Sequence, residues 1–130
     1  MLYVKNSTGT STLIPDYTKQ ISEIENSITF GPWNNLTSKI GLTCQYRTCK
    51  RFTQVAIYGN IENASFQANT GYSFGTLPTN ARAPFANWYQ LVDSRLYINI
   101  SGPEGNIDIN AWTACSGVRS KIHFLTTIAI

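Results

Sequence analysis

Charge is scarce in this 130-residue chain, with Asp, Glu, Lys and Arg making up 13% of the residues, about half the share in an ordinary globular domain. Ten Lys and Arg against seven Asp and Glu leave a net charge of +3, and the cations are scattered along the sequence. A phosphate backbone is gripped by clustered cations, so nucleic acid is not the expected partner. There is one histidine, His123, and the three cysteines, Cys44, Cys49 and Cys115, include no CxxC pair. An odd number at that spacing suits neither a disulfide framework nor a zinc site. The expectation is buried free thiols, with no metal and no cofactor. No run approaches the roughly 18 apolar residues of a membrane span, and MLYVKNSTGT lacks the basic-then-apolar order of a secretory leader. The expected product is therefore made in a cytoplasm and not inserted into a membrane. Carboxylates are also few: outside the helix and turns only Glu62, Asp93 and Asp108 are candidates, with no second carboxylate placed beside Asp108 as glycoside hydrolysis would require. His123 with Cys115 or Ser116 forms no more than a loose pair, and no phosphate-cradling glycine loop is present. Catalysis is not expected.

What the chain does contain is 42% hydrophobic residues in two different periods. In residues 1–32, Tyr17, Ile21, Ile24 and Ile28 fall at helical spacing after Pro15 and the candidate N-cap Asp16, and Gly31-Pro32 ends the pattern. A helix of about three turns is marginal alone, so its Ile stripe needs a partner. That partner is either its own domain or further copies, and Ile at both a and d positions favours three or more strands. From Trp33 onward the period is two. Ile40, Leu42, Cys44 and Tyr46 lead through a polar turn into Val55, Ile57, Gly59 and Ile61, which predicts a hairpin with one apolar face. The stretch GYSFGTLPTNARAPFANWY, residues 71–89, follows. Its Leu77-Pro78 and Ala83-Pro84 steps hold the chain extended, and it reads as a stiff crossing without backbone pairing. Strands are expected near 86–92, 95–101, 106–112 and 118–130. Short strands with a turn about every ten residues predict an all-β fold, a compact antiparallel barrel or sandwich with a short N-terminal helix.

Because side chains alternate across a strand, parity sorts them into two faces. Leu96, Ile98 and Ile100 form a core set, as do Ile107, Ile109 and Ala111. Val118, Ile122, Phe124, Ile128 and Ile130 do so in the last strand. The opposite parity carries Tyr97 and Asn99, then Asp108, Asn110 and Trp112, then Arg119, Lys121 and His123. Rings for C–H faces, beside amides, a carboxylate and a guanidinium for hydroxyls, suit a carbohydrate. The candidate saccharide-binding residues are Tyr97, Asn99, Asp108, Asn110, Trp112, Arg119 and His123. The plainer alternative is that Trp112 and Tyr97 fill a subunit interface or cover the sheet under a loop.

The segments WNNLTSKIGLTCQYRTCKRFTQVAIYGNI, FGTLPTNARAP and LYINISGPEGNIDINAW, in that order, resemble the C-terminal head domains of tail receptor-binding and baseplate tip proteins of phages that infect Gram-positive bacteria. The resemblance covers residues 33–130. It implies a β-barrel head assembled as a homotrimer on the virion tail tip or baseplate and recognising host cell-wall polysaccharide. Residues 1–32, outside the match, would then form a trimerising stem that attaches to other tail or baseplate proteins. Lactococcal members of that family carry a His-x-Asp pair, a Trp and an Arg on the sugar. Here the pair is replaced by Tyr97 and Asn99, Arg119 falls at the Arg position, and Trp112 is the nearest tryptophan. A purely structural trimeric tail connector or cap is the alternative function.

Overall fold

The computed structural model describes residues 17–84 and 87–130 in full and 2–5 and 11–14 by their backbone. The two alternating runs that follow Trp33 form the first sheet. β4 (Leu42–Thr48) turns into the long β5 (Phe52–Phe66), which pairs on its other side with the equally long β10 (Cys115–Ala129), and β3 (Asn34–Asn35) finishes the β4 edge. The order is β10-β5-β4-β3, with every pairing antiparallel. Ile40 does not belong to the strand as the alternation predicts. Ile40 and Gly41 both adopt positive φ (48° and 84°) and form a turn ahead of Leu42. Gly59, at φ 137°, faces this turn, and a Cβ there would stand 2.2 Å from the Gly41 carbonyl oxygen. Only glycine permits that approach.

The second sheet runs β6 (Tyr72–Thr76), β9 (Asn106–Ala111), β8 (Leu96–Ile100), β7 (Trp88–Leu91), again antiparallel throughout. The stretch 71–89 is thus not the unpaired crossing its prolines predict. Its first part is β6, whose ladder to β9 is interrupted between Ser73 and Gly75. Pairing sets the strand here, and the proline constraint begins only at Pro78. From there the chain makes a 3-10 turn at Thr79–Ala81. Leu77 and Ala81 are buried in the core, and Thr53 Oγ1 donates a hydrogen bond to the Ala81 carbonyl at 2.7 Å. Arg82 donates from Nε to the Leu77 carbonyl (2.8 Å) and from Nη1 to the Pro103 carbonyl (3.3 Å). Its side chain lies against Gly105, at φ 72°, where a Cβ would come within 2.7 Å of it. Much of the segment's apolar content is explained: Phe74, Leu77 and Ala81 are core, and its arginine ties the crossing to the β8–β9 turn.

The inward sets of both sheets meet in one core, with Leu42, Ile57, Phe74, Leu77, Leu96, Ile98, Ile107 and Ile109 fully buried. The arrangement is a sandwich, and the expected barrel does not close. On one side the Thr37 amide donates to the Phe74 carbonyl at 2.9 Å and links the two sheets. On the other, β10 faces β7 with no backbone hydrogen bond between them among the described residues. That edge is held by the Trp88 and Phe124 rings, centroids 5.8 Å apart, and by Ser120 Oγ donating to Asp93 Oδ2 at 3.3 Å.

Ahead of the two sheets, α1 (Thr18–Ile28) forms as its periodicity predicts, with Tyr17 at the N-cap and no side-chain cap. Pro15 and the candidate cap Asp16 lie outside the described residues. Tyr17, Ile21, Ile24 and Ile28 are 50–58% exposed, and only Ser27 of the helix is buried. Among the described residues the stripe is therefore not covered by its own chain. Residues 1–32 hold a ribbon besides the one helix expected, because β1 (Leu2–Lys5) and β2 (Ser11–Ile14) pair antiparallel. Two four-residue strands give too short an alternation to be recognised in sequence. Among the described residues no helix is long and apolar enough to cross a membrane.

Candidate functional site

The outer face of the second sheet is built by register. One row across it reads Ser73 (β6), Asp108 (β9), Asn99 (β8) and Tyr89 (β7), each the cross-strand partner of the next. The adjoining row reads Asn110, Tyr97 and Leu91. Beyond it the Trp112 amide donates to the Arg95 carbonyl at 3.1 Å, so Trp112 continues the β9 parity and stands over the end of the sheet. Five of the sequence-predicted residues, Tyr97, Asn99, Asp108, Asn110 and Trp112, are thereby brought onto one surface.

Their exposure corrects the parity reading. Tyr97 faces outward but is only 7% exposed. Trp112 lies flat on it, ring centroids 4.0 Å apart at 25°, and Tyr89 tilts against it at 6.1 Å. The Tyr97 hydroxyl donates to Asn69 Oδ1 at 3.3 Å. Two large neighbours hide the ring, so Tyr97 is a platform that fixes Trp112 rather than a ring offered to a ligand. The accessible rings are Trp112, 46% exposed, and Tyr89, and Leu91 beside them is 61% exposed. Asn110 is buried too. Its neighbour Gly71 has no room for a Cβ, which would meet the Ile109 carbonyl and stand 2.8 Å from Asn110 Oδ1.

The polar row is rich in acceptors. Burial pushes the Asp108 carboxyl above its ordinary range, while a hydrogen bond from Ser73 acts in the opposite sense. Directly across the strand pair, Asn99 Oδ1 is buried and has no hydrogen-bond partner among the described residues. A buried amide oxygen left without a donor is costly. Burial also raises the Tyr97 phenol, helped by the nearby Tyr89 and Asp108. The surface therefore sets flat rings near a partly desolvated carboxylate, an arrangement that can meet C–H faces and O–H or N–H donors.

Arg119 and His123 stand elsewhere. Both are exposed on β10, which belongs to the first sheet, and their parity turns them to that sheet's outer face. Arg119 borders a shallow depression with Asn60, Glu62, Asn63 and Lys121. His123 pairs across to Tyr58 and also borders a cleft of about 240 Å³ along the open β7–β10 edge, opposite Gln90 and Leu91. Sequence order suggested three successive strands side by side, but the chain changes sheets after Trp112. His123 reaches the rim of the ring-bearing face, and Arg119 does not. Conversely, Tyr89, Leu91 and Ser73 belong to this face and were not singled out in the sequence, although the same parity rule applied to WYQL and YSFGT would have found them. All three cysteines are free, Cys44 buried and Cys49 and Cys115 half-buried, so only the first is fully the interior thiol expected. No group of three or more His, Cys, Asp or Glu side chains is placed to hold a metal ion among the described residues. Compared with known proteins, the chain matches no family model and no curated protein.

Proposed function

We propose that this chain is a saccharide-binding adhesin head of a phage tail tip or baseplate, binding host cell-wall polysaccharide through the outer face of its second sheet. The observation that carries the reading is the Trp112–Tyr97 stack standing beside the Asp108–Asn99 acceptor row. A sugar ring laid on Trp112 would direct its hydroxyls toward a carboxylate already partly stripped of water, where a charge-assisted hydrogen bond is stronger than in the open. In this reading a single site binds weakly, and useful strength comes from several heads engaging at once. In this reading residues 1–32 join three chains and attach them to the virion, and no catalytic step is involved.

The experiment is binding of the purified protein to a glycan array and to isolated cell walls. Trp112→Ala is expected to lower affinity at least about tenfold, a loss of ~1.4 kcal/mol typical of a central aromatic anchor, with the circular dichroism spectrum unchanged. Wild-type affinity in that variant would refute the assignment. A structural connector whose ring face meets another virion protein is the second reading. It is favoured by Leu91, an apolar side chain 61% exposed on the same face, and virions carrying Trp112→Ala that adsorb normally to host cells would support it.

A further inference from the structure

The neck between helix and head crosses one particular surface. Arg47, on the outer face of β4, lies under the Phe30 ring at 4.9 Å and the Trp33 ring at 4.5 Å, and its Nε donates to Gln54 Oε1 at 2.6 Å. Gln54 in turn donates to Thr127 Oγ1 at 3.1 Å, and the Gly31 amide donates to the Thr48 carbonyl at 2.9 Å. The chain leaving α1 is thus clamped onto the outer side of the first sheet, away from the ring-bearing face of the second.

Beside the clamp the next two rows of that face are Leu125, Ala56 and Gln45, then His123, Tyr58 and Thr43. Leu125 is 59% exposed and Tyr58 is also exposed. The Tyr58 hydroxyl donates to Gln45 Oε1 at 3.3 Å, and Gln45 Nε2 to Asn35 Oδ1 at 2.7 Å, so the amides are held flat on the sheet. Lys and carboxylates are missing from these rows and gather at the two ends, with Glu62, Arg119 and Lys121 at one and Lys50 and Arg51 at the other. A charge-poor centre bearing Tyr and Leu inside a charged rim is the anatomy of a protein–protein interface.

We propose that this outer face of the first sheet, centred on Leu125, Ala56 and Tyr58, packs against further copies of the same chain. The occupant follows from the helix. Tyr17, Ile21, Ile24 and Ile28 are exposed at d, a, d and a spacing, a seam that recruits identical helices and, with Ile at both kinds of position, more than two of them. The neck that leads out of that helix lies on this face, so chains gathered at the stem bring their heads together here. The second sheet then points outward from the assembly and leaves Trp112 free. The inference rests on the self-associating stem of the proposed function and adds the face by which the heads meet.

Light scattering of the full chain over a range of concentrations tests it. Leu125→Arg and Tyr58→Arg are expected to lower the molar mass at a given concentration, shifting dissociation at least tenfold, with the far-ultraviolet circular dichroism unchanged. Leu91→Arg, on the second sheet, removes an equally exposed leucine and is expected to leave the mass unchanged. Retention of the wild-type mass by both first-sheet variants, dissociation by Leu91→Arg, or a wild-type monomer would each overturn the inference. Cell-wall binding is measured on the same preparations, so a monomer that still binds through Trp112 would sink this interface and leave the adhesin reading intact.

Discussion

Replacing Asp108 by Asn should make the protein more stable and a poorer ligand binder. Burial disfavours the Asp108 charge, and Asn removes that charge. The amide keeps an oxygen to accept from Ser73 and adds an Nδ2 donor facing Asn99, whose Oδ1 has no partner. Supplying a buried acceptor with its donor contributes about 1 kcal/mol. For 130 residues the unfolding entropy is roughly 0.27 kcal/mol per degree, so this term alone raises Tm by about 4 °C. The pH dependence fixes the cause. A carboxyl whose folded pKa is raised favours folding below its unfolded value, near 3.9, and loses that contribution as pH rises through the folded value. The wild type therefore carries the full penalty at pH 7.5 and none at pH 3, where protonated Asp108 can itself donate to Asn99. Thermal melts of the two proteins should differ by several degrees at pH 7.5 and converge on acidification. A variant that melts lower at pH 7.5, or that keeps the same advantage at pH 3, would refute the reasoning. Weaker glycan binding by the more stable protein would mark Asp108 as kept for its ligand, since function often holds groups that stability alone would discard.

Arg47→Ala should free the neck. Two cation–π contacts of about 0.5–1 kcal/mol each correspond to a roughly five- to thirty-fold change in population, to be read as faster chymotryptic cleavage near Phe30 and Trp33, and an unchanged rate would count against the clamp. Phe74→Ala removes a fully buried ring between the sheets and should cost about 3–5 kcal/mol in a urea titration; a loss below about 1 kcal/mol would mean the core is not shared as described. Burial pushes the Cys44 thiol up to about 12, so iodoacetamide at pH 8 should leave it unmodified in the folded protein and label it on unfolding, with labelling of the native state as the contrary result.

Strand existence and facing were legible wherever the alternation was long. LYINI and NIDINA assigned their inner and outer residues correctly, because a period of two leaves one arrangement that buries every Ile. The reading failed where a residue's place depends on a distant segment. β6 pairs with a strand more than thirty positions later, and nothing in YSFGT announces that partner. Tyr97 was assigned to the correct face and the wrong exposure, since parity gives direction but not what lies on top. Arg119 and His123 were grouped with Trp112 by sequence proximity, and the change of sheet after Trp112 separated them.

The amino-acid sequence by itself determined the all-β character, the inner face of each long strand and the presence of an Ile stripe on the helix. These follow from local spacing and from the need to bury apolar side chains. Only the tertiary structure decided that the sandwich stays open at β7 and β10, that Trp112 covers Tyr97, and that Asp108 and Asn99 share one desolvated row. Those outcomes depend on which strands become neighbours, and neighbours are chosen by the fit of a whole core.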